Sequence, residues 1–256
     1  MSRLVLASGN AGKLRELQDL LQDVTIEIVP QSDWNVPDAD ETGLSFVENA
    51  ILKARHASLL TGLPALADDS GLVVDALDGA PGIYSARYAM LETGKPGTDK
   101  DNIARLLREM AKADANCAPT ARFVCVLALV RHAEDPLPVI CQATWEGEIT
   151  PMPAGSNGFG YDPVFWLPND GCTSAELAPE RKRLISHRAQ ALRELRLRWA
   201  ETGLCALACR LIICRRLACT STCRGVCANA RIATLIRTPP MANCQKQSTS
   251  MRCYSI

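Results

Sequence analysis

Leu4-Val5-Leu6-Ala7-Ser8-Gly9-Asn10-Ala11-Gly12-Lys13-Leu14 joins three kinds of local structure in one short stretch. Leu4 to Ala7 is an apolar run of strand type. Leu14, Leu17, Leu20 and Leu21 then recur at helical spacing. Between them, two glycines and a lysine turn the chain from strand to helix. That unit sets the fold class as α/β. It also leaves backbone N–H groups and a positive dipole end free to receive an anion, most often a phosphate. The loop is not a Walker A loop, because Gly9 and Gly12 lie too close together. Leu14 also stands where a Mg²⁺-binding Ser or Thr is required.

Downstream of this unit the pattern keeps alternating. A short strand is expected at Ile26–Val29, followed by a polar stretch rich in Asp and Pro up to Thr42. Ser45 and Glu48 have the spacing of a capping box and open a helix through roughly Leu60, with Phe46, Ala50, Ala54 and Ala57 on its apolar face. Pro64 to Ala67 reads as a short strand entering an Asp68-Asp69-Ser70-Gly71 turn, with Leu72 to Val74 as another strand. A helix is expected from about Asp99 to Lys112. Two long β-type runs, Ala121–Val130 and Val139–Ile149, suggest an antiparallel pair inside a mixed sheet. Gly155 to Gly160 forms a second glycine-rich loop before a strand at Val164–Trp166, and a last helix holds Ala189, Leu192 and Leu195.

The chain has 256 residues, with 28 basic and 28 acidic side chains unevenly placed. No acid occurs from Gly203 to Ile256, so the first 202 residues hold all 28 acids against 20 bases. An acidic body argues against a general nucleic-acid surface. Cys117, Cys125, Cys141 and Cys172 lie in or near apolar runs and read as small core residues; the other eight cysteines fall in the tail. No signal-peptide pattern precedes the first strand and no run reads as a spanning helix. The expectation is a cytoplasmic protein without a membrane role.

Adjacent carboxylates at Asp68 and Asp69 repel one another unless positive charge lies nearby. A divalent cation answers that need, and hard oxygen ligands beside a phosphate favour Mg²⁺. On a strand the two side chains point to opposite faces, so one of them reaches a metal directly and the other caps a turn or holds the strand end. Glu41 is a second candidate ligand; Lys13 and Lys53 are candidate phosphate clamps. Phe159, set between Gly158 and Gly160, offers a ring to a flat ligand. Ser186-His187-Arg188 caps a helix start with donors available. Taken singly, each of these has a plain structural reading: a turn, a solvated lysine, an aromatic anchor or a surface His-Arg pair.

Together and in order they are distinctive. Ser8-Gly9-Asn10-x-Gly12-Lys13 is followed by Glu41-Thr42-Gly43, Phe46-x-Glu48-Asn49-Ala50-x-x-Lys53-Ala54 and Ala67 to Leu72. Gly79-Ala80-Pro81-Gly82-x-Tyr84 to Tyr88, Gly158 to Pro163 and Ser186 to Arg188 complete the set. Over about residues 1–200 the chain resembles the inosine triphosphate pyrophosphatase (Ham1-like) family in its bacterial non-canonical purine branch. The resemblance implies an elongated mixed β-sheet with flanking helices and two lobes around a nucleotide cleft. It also implies a homodimer hydrolysing dITP, ITP and XTP to monophosphate and pyrophosphate with Mg²⁺.

Carried over by motif, Ser8, Gly9, Asn10, Ala11, Gly12 and Lys13 wrap the triphosphate and Lys53 adds charge. Asp69 is the general base and, with Glu41, a metal ligand; Ser70 touches the nucleotide. Phe159, Gly160, Tyr161, Asp162, Lys182, His187 and Arg188 form the base and sugar pocket. A pyrophosphatase for pyrimidine or modified nucleotides shares the loop and acids, and a nucleotide-binding module without hydrolysis shares the loop alone. Residues 203–256 depart from the family, with no CxxC pair and no His, and read as out-of-frame translation rather than a folded domain.

Overall fold

The first strand, β1 (Arg3–Ala7), runs into the phosphate-type loop and α1 (Ala11–Leu21) as its sequence requires. The structure is a computed structural model that describes residues 3–21, 26–113, 119–199 and 204. All of them fall in one compact unit, Met1–Cys214. Cys117 and the tail cysteines lie outside the described residues, as does the reading of the tail.

After β2 (Glu27–Pro30) comes α2 (Phe46–Thr61), opened by Ser45, whose hydroxyl accepts the Glu48 N–H while Glu48 accepts from the Leu44 N–H. β3 (Ala65–Val74) follows. Two helices come next, α3 (Met90–Thr93) and α4 (Asp99–Lys112), the latter with a reciprocal Thr98–Asp101 capping box. β4 (Thr120–Val130) and β5 (Val139–Ile149) are the long antiparallel pair. The chain then runs through β6 (Phe165–Leu167), β7 (Cys172–Thr173), α5 (Pro179–Ile185) and α6 (His187–Leu197).

The seven strands form one mixed sheet in the order β2-β1-β3-β4-β5-β6-β7. β1 is parallel to both its neighbours, and the other pairs are antiparallel. Its central strands are buried on both sides, and their pleat sorts side chains by parity. Leu4, Leu6, Leu66, Leu127 and Leu129 pack with Leu17 and Leu21 of α1 and Leu192 and Leu195 of α6. Val5, Ala7, Ala65, Ala67, Val126 and Val130 pack under α2, whose Ala50, Ala54 and Ala57 present small surfaces that let it lie close to the sheet. Toward the other end of β3 and β4 the core changes again: Leu72, Val74, Ala121 and Phe123 join Leu106, Tyr161 and Phe165. Residues 68–71 of β3 cross this change of core.

One expectation at this crossing is corrected. Residues 68–71 are not a turn between two short strands, because β3 runs unbroken and pairs with β4 at ten successive positions from Ala65↔Val130 to Val74↔Ala121. Charged residues survive in mid-strand because cations meet them on both faces, as described below. Cys125 and Cys141 are buried as expected, whereas Cys172 is only half-buried.

Candidate active site

The pleat of β3 sends its adjacent carboxylates to opposite faces. Asp68 shares parity with Leu66 and turns toward α1 and α6, where Lys13 Nζ stands 3.0 Å from Oδ1 and Arg188 Nε 2.9 Å from Oδ2. Ser70 Oγ donates to Oδ1 at 2.8 Å, and the Cys125 thiol donates to Oδ2 at 3.1 Å. Burial alone raises this carboxyl, but Arg188 and then Lys13 more than offset it and hold it well below the usual aspartate value.

Asp69 turns toward α2. Lys53 Nζ sits 2.5 Å from its Oδ1 and 3.2 Å from Glu41 Oε1, and Glu41 Oε2 also accepts from Arg87. Asp69 Oδ2 is buried with no partner. Burial outweighs the nearby lysines and leaves the Asp69 carboxyl raised above its ordinary value. Burial opposes the charge on Lys53, but Asp69 prevails and raises the ammonium's pKa, so it stays protonated. Burial also opposes the charge on Glu41, and there the Arg87 bond and Lys53 win and lower its pKa.

Two cavities meet along this line of residues. One, of about 420 Å³, is lined by Ser8, Gly9, Asn10, Lys13, Glu41 and Lys53 together with Gln31, Asp38, Asp40 and Arg87. The other, of about 130 Å³, is lined by Ser70, Phe159, Gly160, Tyr161, Asp162, Lys182, His187 and Arg188, with Phe123 and Asp99. Asn10 and Lys13 line both. The phosphate-type loop is thus the hinge between a cation-bearing cavity and an aromatic one. Ala11 opens α1, and Asn10 Oδ1 caps that helix by accepting the Lys13 N–H.

In the aromatic cavity, the Phe159 ring lies against Gly12, where an added Cβ would come within 2.8 Å of it. Gly158 has φ +80°, and a Cβ there would stand 1.9 Å from Asp162 Oδ2, so no larger residue fits this turn. Asp162 accepts the Phe159 N–H at 2.9 Å and the Lys182 ammonium at 2.6 Å, and Ser174 holds its other oxygen. Tyr161 is anchored by its hydroxyl on the Ser85 carbonyl. Asp162 and Tyr161 therefore shape the loop, while Phe159 and Lys182 present it. Ser186 caps α6 by accepting the Ala189 N–H. The next residue, His187, stacks on Phe123 with centroids 4.9 Å apart, and its Nδ1 is buried without a partner. Burial, then the adjacent Arg188 charge, push the imidazole pKa far below its ordinary value, so it is neutral at pH 7.

Some residues of the site escaped the sequence reading. Arg87 and Asp38 line the cation-bearing cavity, and Glu16 pairs with both Lys182, at 3.2 Å, and Arg188. Glu16 stands one helical turn beyond Gly12 in α1, which was the available signal. Among the described residues no group of three or more His, Cys, Asp or Glu side chains is gathered to hold a metal, and no helix is long and apolar enough to cross a membrane.

The sequence profile of the Ham1 family matches residues 4–198. The chain belongs to the Ham1 family. A dITP/XTP pyrophosphatase of Vibrio cholerae is 56% identical over 195 residues, covering 76% of this chain and 95% of the relative. The dITP/XTP pyrophosphatase of Escherichia coli strain K12 is likewise 56% identical over 195 residues, covering 76% of this chain and 96% of that protein. Among solved structures, a HAM1 protein from Coxiella burnetii superposes with a TM-score of 0.72 at 52% identity, covering 78% of this chain and 100% of that one. The Staphylococcus aureus Ham1 protein gives 0.68 at 38% identity over 78% and 99% of the two chains. All of these motif segments and the two cavities of this Ham1 chain lie inside the matched span.

Proposed function

We propose that this chain hydrolyses the non-canonical purine nucleotides dITP, ITP and XTP to the monophosphate and pyrophosphate, as a cytoplasmic homodimer that cleanses the nucleotide pool. The observation that carries the reading is the junction of the two cavities. A loop of phosphate-binding type lines both, and Lys53 in the lining of the first holds Asp69, a carboxylate with a free buried oxygen, Oδ2. A nucleotide laid across the junction places its base beside Phe159 and His187 and its phosphates beside Lys13 and Lys53.

In this reading Asp69 Oδ2 accepts the proton of the water that attacks the α-phosphorus, while Lys53 fixes Oδ1. Lys13, Lys53, Arg87 and the N–H groups at the start of α1 hold the departing pyrophosphate. Those cations are already paired with protein carboxylates: Lys13 with Asp68, Lys53 with Glu41 and Asp69, and Arg87 with Glu41. A triphosphate therefore needs further positive charge. Glu41 and Asp69 are the carboxylates that would hold a Mg²⁺ with few protein ligands. Bound there, Mg²⁺ supplies charge neutralisation for the phosphoryl group. At the base end, the Arg188 guanidinium donates toward a 6-oxo group, and adenine presents a donor in the same place. An unmatched buried donor pair gives strong rejection.

Incubation with Mg²⁺ and a panel of dITP, XTP, dGTP, dATP and dTTP tests the reading. The expected result is pyrophosphate from dITP and XTP, with slow turnover of dATP and dTTP. Release of orthophosphate rules out attack at the α-phosphorus, and equal turnover of dITP and dATP removes the base pocket from the argument.

A further inference from the structure

Of the two neighbouring carboxylates, Asp68 has no place in the chemistry above, yet it is the more heavily contacted. It is 1% exposed and joins four elements: α1 through Lys13, α6 through Arg188, β4 through Cys125, and its own strand through Ser70. A carboxylate offers about four acceptor sites. Lys13 and Ser70 take those on Oδ1, and Arg188 and Cys125 those on Oδ2. Nothing remains for a metal or a water, which separates Asp68 from Asp69.

The two cations on Asp68 serve different ends of the site. Lys13 lines both cavities, whereas Arg188 lines only the aromatic one. Arg188 is 1% exposed, and most of its N–H groups are spent inside the protein: Nε on Asp68 Oδ2, Nη2 on Ser70 at 2.9 Å and on Asp68 Oδ1 at 3.4 Å, and Nη1 on Glu16. That leaves one Nη1 hydrogen for a ligand. A guanidinium is a rigid fork, so any rotation that follows a mismatched base withdraws Nε from Asp68 Oδ2. The same carboxylate aligns Lys13 through its other oxygen.

We infer that Asp68 is a positioning residue that sets the base-facing Arg188 and the phosphate-facing Lys13 in one register, so that the fit of the base is felt at the triphosphate grip. The inference rests on the proposed nucleotide reading and adds to it the residue that links its two ends. Selection of the base then acts on turnover as well as on binding, because a wrong base misplaces a cation needed at the phosphates.

The test compares kcat and KM for dITP and dATP, together with inhibition by inorganic tripolyphosphate, which carries no base. Asp68→Asn keeps the volume but loses the charge that aligns both cations. The ratio of kcat/KM for dITP over dATP is expected to fall by roughly tenfold or more. The fall should lie mainly in kcat for dITP, and the tripolyphosphate inhibition constant should shift in the same variant. Asp68→Glu restores the charge without the register and is expected to leave discrimination impaired. A folded Asp68→Asn that keeps the ratio within about twofold overturns the inference. So does lost discrimination without any change in tripolyphosphate inhibition. Where neither Asp68 variant folds, Ser70→Ala removes a hydroxyl shared by Asp68 and Arg188 and should lower the ratio by about threefold; an unchanged ratio again overturns the link. A wild-type enzyme with no preference for dITP removes the nucleotide reading instead and leaves a distinct result.

Discussion

The two faces of β3 receive the same residue type at adjacent positions and treat it in opposite ways. On the α1–α6 face, Asp68 meets two cations, a hydroxyl and a thiol, and its pKa is driven well below the ordinary value. On the α2 face, Asp69 meets one lysine, keeps a buried oxygen without a partner, and has a raised pKa. Residue type does not decide which carboxylate can act as a base. The number of committed lone pairs and the balance of burial against charge decide it. A saturated carboxylate is a scaffold; an unsaturated one has capacity left for chemistry.

The strongest way to break this contrast is Asp69→Asn. It removes the free acceptor oxygen's charge, and kcat is expected to fall by about 10²–10⁴ while nucleotide binding and the fold persist. Near-normal turnover in that variant means that Asp69 is not the base. On the other face the expected effect is on stability. Arg188→Met leaves Asp68 buried with Lys13 as its remaining cation, and the loss should be about 3–5 kcal/mol in chemical denaturation. Because the folded pKa of Asp68 is depressed, its contribution is present above the ordinary aspartate value of 3.8 and is lost as pH falls through the depressed value. In Arg188→Met the acid limb of the stability profile should therefore move to higher pH. Unfolding curves measured across the acid range check both statements. The smallest effect is expected for Cys125→Ala, which removes one donor to Asp68 Oδ2 and should cost about 1 kcal/mol by the same measurement. A change as large as that of Arg188→Met means that the thiol does more than share in the saturation.

Local rules made a good part of this visible in the sequence. Ser45 and Glu48 announced α2, the apolar runs of β4 and β5 announced their pairing, and Asp68 and Asp69 were expected on opposite faces. Each depends on neighbours a few residues away. Other features depend on partners far along the chain. Arg188 meets Asp68 across 120 residues and Glu16 across 172, separations at which no spacing rule operates. The continuity of β3 was missed for the same reason: acids and a glycine inside a short apolar run read as a turn until the cations supplied by α1, α2 and α6 are placed. Arg87 and Asp38 lay in stretches with a Gly/Pro or Asp/Pro signature, where composition marks a loop but not what the loop faces.

The ten-position pairing of β3 with β4 has a consequence for how this protein tolerates change in length. Deleting one residue before Asp68 in that strand leaves its composition nearly intact, yet it swaps odd for even. The carboxylate meant for Arg188 would face α2, and the one meant for Lys53 would face α6. The lesion would be one of wiring, in a chain whose apolar content has hardly changed.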